Sequence, residues 1–168
     1  MIPEHIFKHL EEKNTVTEYF FTIHLVIYAD IVSFIPWSSG RDAEEIINIL
    51  SMLFTKFDES SVKNKVYKVH TIGDYYVAIG YRSGMRNPFE ECENMIKFAY
   101  SMIEIIEEVR KEDKELNMRI GLHTGEVIGG IMGTSIARYD IYGPDVLITN
   151  QMESNGIPWK IVISETTK

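Results

Sequence analysis

Two aspartates follow strand-like apolar runs, in Tyr28-Ala29-Asp30-Ile31-Val32-Ser33-Phe34 and in Lys68-Val69-His70-Thr71-Ile72-Gly73-Asp74-Tyr75-Tyr76. A strand that ends in a carboxylate can present it at a sheet edge, and two such strands side by side bring both carboxylates to one point. Such a pair suits Mg²⁺, which takes one or two carboxylates plus substrate phosphates instead of a complete protein shell. Taken singly, each aspartate also has an ordinary reading: Asp30 could cap the helix that follows it, and Asp74 could be plain turn chemistry. His24 and His123 fall within strand-like runs, where a hydrogen-bonded core histidine is commoner than a ligand. The run Lys111-Glu112-Asp113-Lys114 reads as a solvated charge cluster.

The patterning around these residues says what could position them. Residues 18–30 are rich in β-branched and aromatic types, which predicts a buried strand. Ile46, Ile47, Leu50, Leu53, Phe54 and Phe57 recur at three and four, predicting a helix over about 42–58 with Ser38 or Ser39 as its cap. Residues 62–71 and 75–81 alternate as two strands of a hairpin whose turn holds Gly73-Asp74. Asn87-Pro88 opens a second helix as cap and first-turn proline, with Glu90, Glu91 and Glu93 near its positive end. Met95, Ile96, Ala99, Met102, Ile103, Ile106 and Val109 form its core stripe. Strands at about 118–124 and 126–132, a helix after Gly143 and a last strand at 160–164 complete the order. That order suits an α+β fold, a mixed sheet with helices packed on one face. Residues 1–18 read as a polar lead-in segment and 19–168 as one domain.

At 168 residues, 45% hydrophobic and 25% charged, the chain has the balance of one globular domain with a sizeable core. A net charge of −8 argues against a broad nucleic-acid or anionic-membrane surface, which needs clustered Lys and Arg. It makes metal ions the expected source of positive charge at any site that handles a polyanion, although acidity also serves solubility. The longest apolar stretch, residues 20–29, is interrupted by Thr22 and His24 and is too short to span a bilayer. The N-terminus lacks the apolar segment of a signal peptide, and the single Cys92 can form no internal disulfide. A cytosolic-facing domain is expected.

At the two aspartate runs the chain resembles the class III nucleotidyl cyclases, the catalytic domains of adenylyl and guanylyl cyclases. The similarity continues through Met118-Arg119-Ile120-Gly121-Leu122-His123-Thr124-Gly125, Arg138-Tyr139-Asp140-Ile141-Tyr142-Gly143 and Gln151-Met152-Glu153-Ser154-Asn155-Gly156, over about residues 20–166. The resemblance implies a ferredoxin-like cyclase fold and two Mg²⁺ or Mn²⁺ ions bridged by Asp30 and Asp74, with the backbone carbonyl of Ile31 as a further ligand. It implies that Arg119 reaches the nucleotide phosphates, and that Ile31, Val32, Ser33 and Phe34 turn into a short helix facing the triphosphate. For Arg119 a surface ion pair is the ordinary alternative. His70 and Asp140 fall at purine-selecting positions, where His70 matches neither the glutamate of guanylyl nor the lysine of adenylyl cyclases.

The departures from the family pattern shape the functional expectation. Where a self-sufficient cyclase carries a ribose-orienting asparagine and, four residues on, an arginine that stabilises the transition state, this chain has Leu147 and Gln151. It also ends before the strand pair that carries a phosphate-binding lysine in the family. Loss of these groups with both aspartates retained is the pattern of the metal-bearing half of a paired cyclase, most similar to protist membrane guanylyl cyclases. The expectation is a half that forms a 3′,5′-cyclic monophosphate from GTP, slightly favoured, or ATP when joined by a complementary cyclase domain. His70 and Asp140 would then line a second, pseudosymmetric purine pocket. The alternatives are an adenylyl cyclase half and a non-catalytic pseudocyclase module that only dimerises. By the same resemblance the domain belongs to a larger membrane protein, without itself touching nucleic acid or membrane.

Overall fold

The computed structural model describes residues 17–80, 87–132 and 138–168. Strand β1 (Thr17–Ile31) is followed by a short helix α1 (Phe34–Ser38) and a long one, α2 (Ala43–Lys63). The hairpin β2 (Val66–Ile72) and β3 (Tyr75–Gly80) precedes helix α3 (Pro88–Val109). Strands β4 (Met118–Met132) and β5 (Arg138–Tyr142), helix α4 (Pro144–Ser154) and strand β6 (Ile161–Ile163) finish the chain. The strands form one mixed sheet in the order β2-β3-β1-β4-β5, and β6 lies parallel to β4 while every other pairing is antiparallel.

Alternation along β1 sends side chains to two cores. Leu25, Ile27, Ala29 and Ile31 join Met118, Ile120 and Leu122 of β4 on one face, where Leu53 and Phe57 of α2 and Met95, Phe98, Met102 and Ile106 of α3 cover them. Val26 points the other way, packing with Val69, Val77, Ile79, Val127, Tyr139, Ile141 and Val146 of α4. Helices α2 and α3 thus take one face, as the sequence predicts, and α4 adds a cover on the opposite face. Glycine permits that close approach: a Cβ on Gly121 would run into the backbone of Thr149 and Glu153 in α4. The sheet also curls until its outer strands meet, with Tyr67 of β2 edge-on to Tyr139 of β5 at 5.9 Å between ring centroids.

Several boundaries differ from the sequence expectation, each for a local reason. Helix α2 is capped at Asp42, not Ser38 or Ser39, because residues 34–38 form α1 instead. It runs on to Lys63, so Val62 is the exposed end of a helix, and strand β2 begins only after Lys65 takes a left-handed φ of 54°. The two strands expected over 118–132 are one continuous strand, although its pairing with β1 shifts register between Gly125 and Val127, and β5 pairs only beyond that shift. Strand β5 lies in a run quoted for chemistry but not assigned as a strand. The asparagine cap of α3 is as expected, Asn87 Oδ1 accepting from the Phe89 N–H at 3.1 Å. Residues 1–16 of the lead-in and Tyr81 lie outside the described residues.

Candidate metal and nucleotide site

Asp30 is the penultimate residue of β1, paired in register with Arg119 of β4. Asp74 sits in the β2–β3 turn beside Gly73, whose φ of 60° is the left-handed geometry that favours glycine there. Because β3 neighbours β1, this turn brings Asp74 beside Asp30, near enough for its charge to raise the Asp30 carboxyl pKa. The antiparallel pairing therefore joins the two aspartates that the sequence separates. Asp30 is buried, Oδ2 accepts from Arg119 Nη2 at 3.1 Å, and Oδ1 is buried with no hydrogen-bond partner.

A buried, orphaned carboxylate oxygen beside a second carboxylate is electrostatically costly without a cation. Burial first, then Asp74, then Glu153, push the Asp30 carboxyl up to about 7, against the pull of Arg119. The nearby Tyr75 phenol is likewise raised, chiefly by the charge of Asp30. The donor set fits a hard divalent cation: two carboxylate side chains, one with a free lone pair, in a field of negative charge. Among the described residues no cluster of three or more His, Cys, Asp or Glu forms a full protein cage for a metal.

Next to this pair, the Ile31 side chain is buried in the core. The chain then turns through Val32 and Ser33, the latter left-handed at φ 56°, into α1. A short helix follows Asp30, but of the expected Ile31-Val32-Ser33-Phe34 segment only Phe34 is helical: Ile31 closes β1, Val32 turns and Ser33 is the cap position, which leaves Asp30 free of a capping role. Phe34 packs on the core and lies 5.7 Å from the Trp37 ring. This segment is tied to the loop before β4: Val32 N–H donates to the Asn117 carbonyl at 2.8 Å, and Trp37 Nε1 to Asp113 Oδ2 at 2.8 Å. Arg41 also grips Asp113 and stacks 4.9 Å from the Trp37 ring centroid. Asp113 is thus a buried anchor, not the solvated charge that its Lys-Glu-Asp-Lys setting implies.

Residues 19–168 match the profile of the adenylate and guanylate cyclase catalytic domain. The chain belongs to this family. It is 44% identical to guanylate cyclase alpha of Plasmodium falciparum and 40% identical to a guanylate cyclase of Toxoplasma gondii, over its whole length in both cases. It spans only 4% of either relative's length. Among solved structures it superposes on the guanylate cyclase domain of RhGC from Catenaria anguillulae in complex with GTP, with a TM-score of 0.81 and 27% identity, covering 89% of this chain and 81% of that one. The α+β cyclase fold read from the motifs is the fold observed, and class III cyclases employ divalent metal ions.

Within this cyclase domain the two expected groupings are spatially distinct. Asp30, Asp74 and Arg119 converge. His70 of β2 and Asp140 of β5 instead meet where the sheet edges close, with Nδ1 3.0 Å from Oδ1. That contact is an ion-pair distance but is off-line for a hydrogen bond, since His70 Nδ1 has no such partner. Burial lowers the His70 pKa against the pull of Asp140. Arg138 grips the other Asp140 oxygen at 2.6 Å. His123 is a satisfied histidine, bonded to Ser164 Oγ at 2.6 Å and Asp145 Oδ1 at 3.1 Å. His24 lies buried 3.6 Å from Glu91.

Sequence reasoning missed Glu153. It is fully buried, accepts from Arg119 Nε at 2.8 Å, and its own pKa is raised by burial against the opposing charge of Arg119. Its place in the Gln151-Met152-Glu153 motif was visible, but a glutamate on a helix of low amphipathicity gives no sign that it turns inward. Arg119 is accordingly neither a free phosphate arm nor a plain surface pair. It bridges Asp30 and Glu153.

Proposed function

We propose that this chain is the metal-bearing half of a nucleotidyl cyclase and completes its active site with a complementary cyclase domain. The observation that carries the reading is the convergence of Asp30 and Asp74 with an orphaned Asp30 oxygen, in a domain whose α4 offers only Leu147 and Gln151 where complete cyclases hold their ribose and transition-state groups. Both Leu147 and Gln151 are exposed, so a partner could cover them, but neither can replace the missing amide and guanidinium.

In the reaction the ribose 3′-oxygen bonds to the α-phosphorus, the bond from that phosphorus to the bridging pyrophosphate oxygen breaks, and the 3′-hydroxyl loses its proton. Two divalent ions, Mg²⁺ or Mn²⁺, held by Asp30, Asp74 and the Ile31 carbonyl would supply the positive charge that acidifies the hydroxyl and neutralises pyrophosphate as it leaves. The chain's own part is positioning. The turn from Ile31 through Val32 and Ser33 to Phe34 presents backbone to the phosphates, braced by Asn117 and Asp113, and Arg119 supplies a guanidinium. His70 and Asp140 line the pseudosymmetric pocket, and the base itself rests on the partner.

GTP is favoured over ATP because of the likeness to protist guanylate cyclases. Residues 19–168 act as the cyclase unit, with 1–18 leading in from a longer protein that would be membrane-bound. No helix among the described residues is long and apolar enough to cross a membrane. The test is a mixing assay of this chain with candidate partner domains, Mn²⁺ and either GTP or ATP. Cyclic GMP formed only in the mixture supports the reading, cyclic AMP alone assigns an adenylyl cyclase half, and no product with any cyclase-domain partner assigns a regulatory pseudocyclase.

A further inference from the structure

Arg119, the residue assigned to the phosphates, is already bound by the protein through three nitrogens. Nε donates to Glu153 Oε1 at 2.8 Å, Nη1 to the Ser154 carbonyl at 3.2 Å, and Nη2 to Asp30 Oδ2 at 3.1 Å. These contacts differ in kind. Glu153 is a fixed anchor: its side chain is 0% exposed and its second oxygen accepts from Ser154 Oγ at 3.1 Å. Asp30 is a contested partner, because its carboxylate is also the one that faces Asp74 and keeps a free oxygen. A guanidinium and a divalent cation on the same carboxylate repel each other, so only one can hold it fully.

We propose that Arg119 is the resident counter-cation of the carboxylate pair while no metal is bound, and that it swings from Asp30 to the triphosphate about its Nε bond to Glu153. Glu153 is therefore a positioning residue that acts through Arg119. The arginine fork suits this, since Nε can stay on one carboxylate while the two Nη groups address another anion. Its side chain keeps 24% exposure, which leaves the outer donors room to reorient. Glu153 being buried ensures that Arg119 is retained near the site when Asp30 lets go. The same charge balance keeps the empty site from holding two adjacent carboxylates and Glu153 with no cation among them.

This inference rests on the reading of Asp30 and Asp74 as metal ligands, and the experiment separates the two. Mn²⁺ alone is titrated into the native chain, Asp74→Ala, Arg119→Ala, Glu153→Gln and the Arg119→Ala/Glu153→Gln double variant, with free Mn²⁺ read by electron paramagnetic resonance and folding checked by circular dichroism. Removing Arg119 is expected to tighten Mn²⁺ binding by about threefold or more, as loss of a neighbouring like charge should. If Arg119→Ala alone leaves Glu153 buried without a partner and does not fold, the comparison of Glu153→Gln with the double variant gives the same answer. A non-hydrolysable nucleoside triphosphate at saturating Mn²⁺ is then expected to bind more weakly to both single variants, and no more weakly to the double variant than to Arg119→Ala. Mn²⁺ binding that is unchanged or weakened on removing Arg119, or triphosphate losses that add in the double variant, overturns the proposal. If native Mn²⁺ binding is abolished by Asp74→Ala, such a failure leaves the metal reading standing; if the native chain binds no Mn²⁺, both fall.

Discussion

Asp30 carries the electrostatic burden of the site, and its consequences are measurable one residue at a time. Asp30→Ala or Asp74→Ala is expected to abolish Mn²⁺-dependent nucleotide binding by calorimetry while far-ultraviolet circular dichroism stays native, since the two side chains lie at a strand end and in a turn. Unchanged binding in both variants refutes the metal assignment. The pH dependence has a definite sign. With its carboxyl near 7 when folded, against 3.8 ordinarily, Asp30 holds a proton in the native state that the unfolded chain releases. Its contribution to stability is therefore full below about pH 4 and is lost as pH rises through 7. In EDTA, the melting temperature of the native chain is expected to fall between pH 5 and 8, and Asp30→Asn to flatten that fall. A native profile that rises over this range counts against the raised pKa.

At the scale of elements, the site depends on how α1 is pinned. The segment is five residues long, too short to be stable by its own hydrogen bonds. It is held instead by Trp37 on Asp113, Arg41 on Asp113 and Glu115, and Val32 on Asn117. Asp113→Ala leaves the buried Trp37 N–H without its acceptor and takes from Arg41 one of its carboxylate partners, a loss of about 1–3 kcal/mol. Denaturant unfolding should show that loss, and hydrogen exchange should quicken over residues 32–41 more than in the distant hairpin. Equal protection of 32–41 in the variant and native chains would show that α1 is held by other contacts. The side-chain types of α1 and its anchors were all visible in the sequence. Their pairing was not, because Trp37 lies in α1 before the long helices and Asp113 in the loop that follows α3, 76 residues on, and no periodicity connects them.

On the proposed reading the chain offers half of an active site, and that sets the activity expected of it. The isolated chain is expected to make almost no cyclic nucleotide, because Leu147 and Gln151 leave two stabilising groups absent and each such group is worth about 10²–10³ in rate. Turnover by the purified chain at the rate of a complete cyclase contradicts the half-site reading. His70 and Asp140 face each other across the closing sheet edges. His70→Lys puts an ammonium beside Asp140, and the ratio of kcat/KM for GTP and ATP in a reconstituted pair is expected to stay within about threefold of native, while the matching exchange in the partner shifts it through unpaired buried polar groups. A tenfold move caused by His70→Lys places the base on this chain instead. The linear chain by itself determined the family, the α+β class and the roles open to Asp30 and Asp74, because strand alternation and turn chemistry are local and the motifs hold their spacing. Only the tertiary structure decided that Glu153 turns inward to hold Arg119, that Asp113 is an anchor, that β4 is continuous and that β2 meets β5. Each of these depends on which strands become neighbours and how far the sheet curls, and residues distant in sequence settle that by packing together.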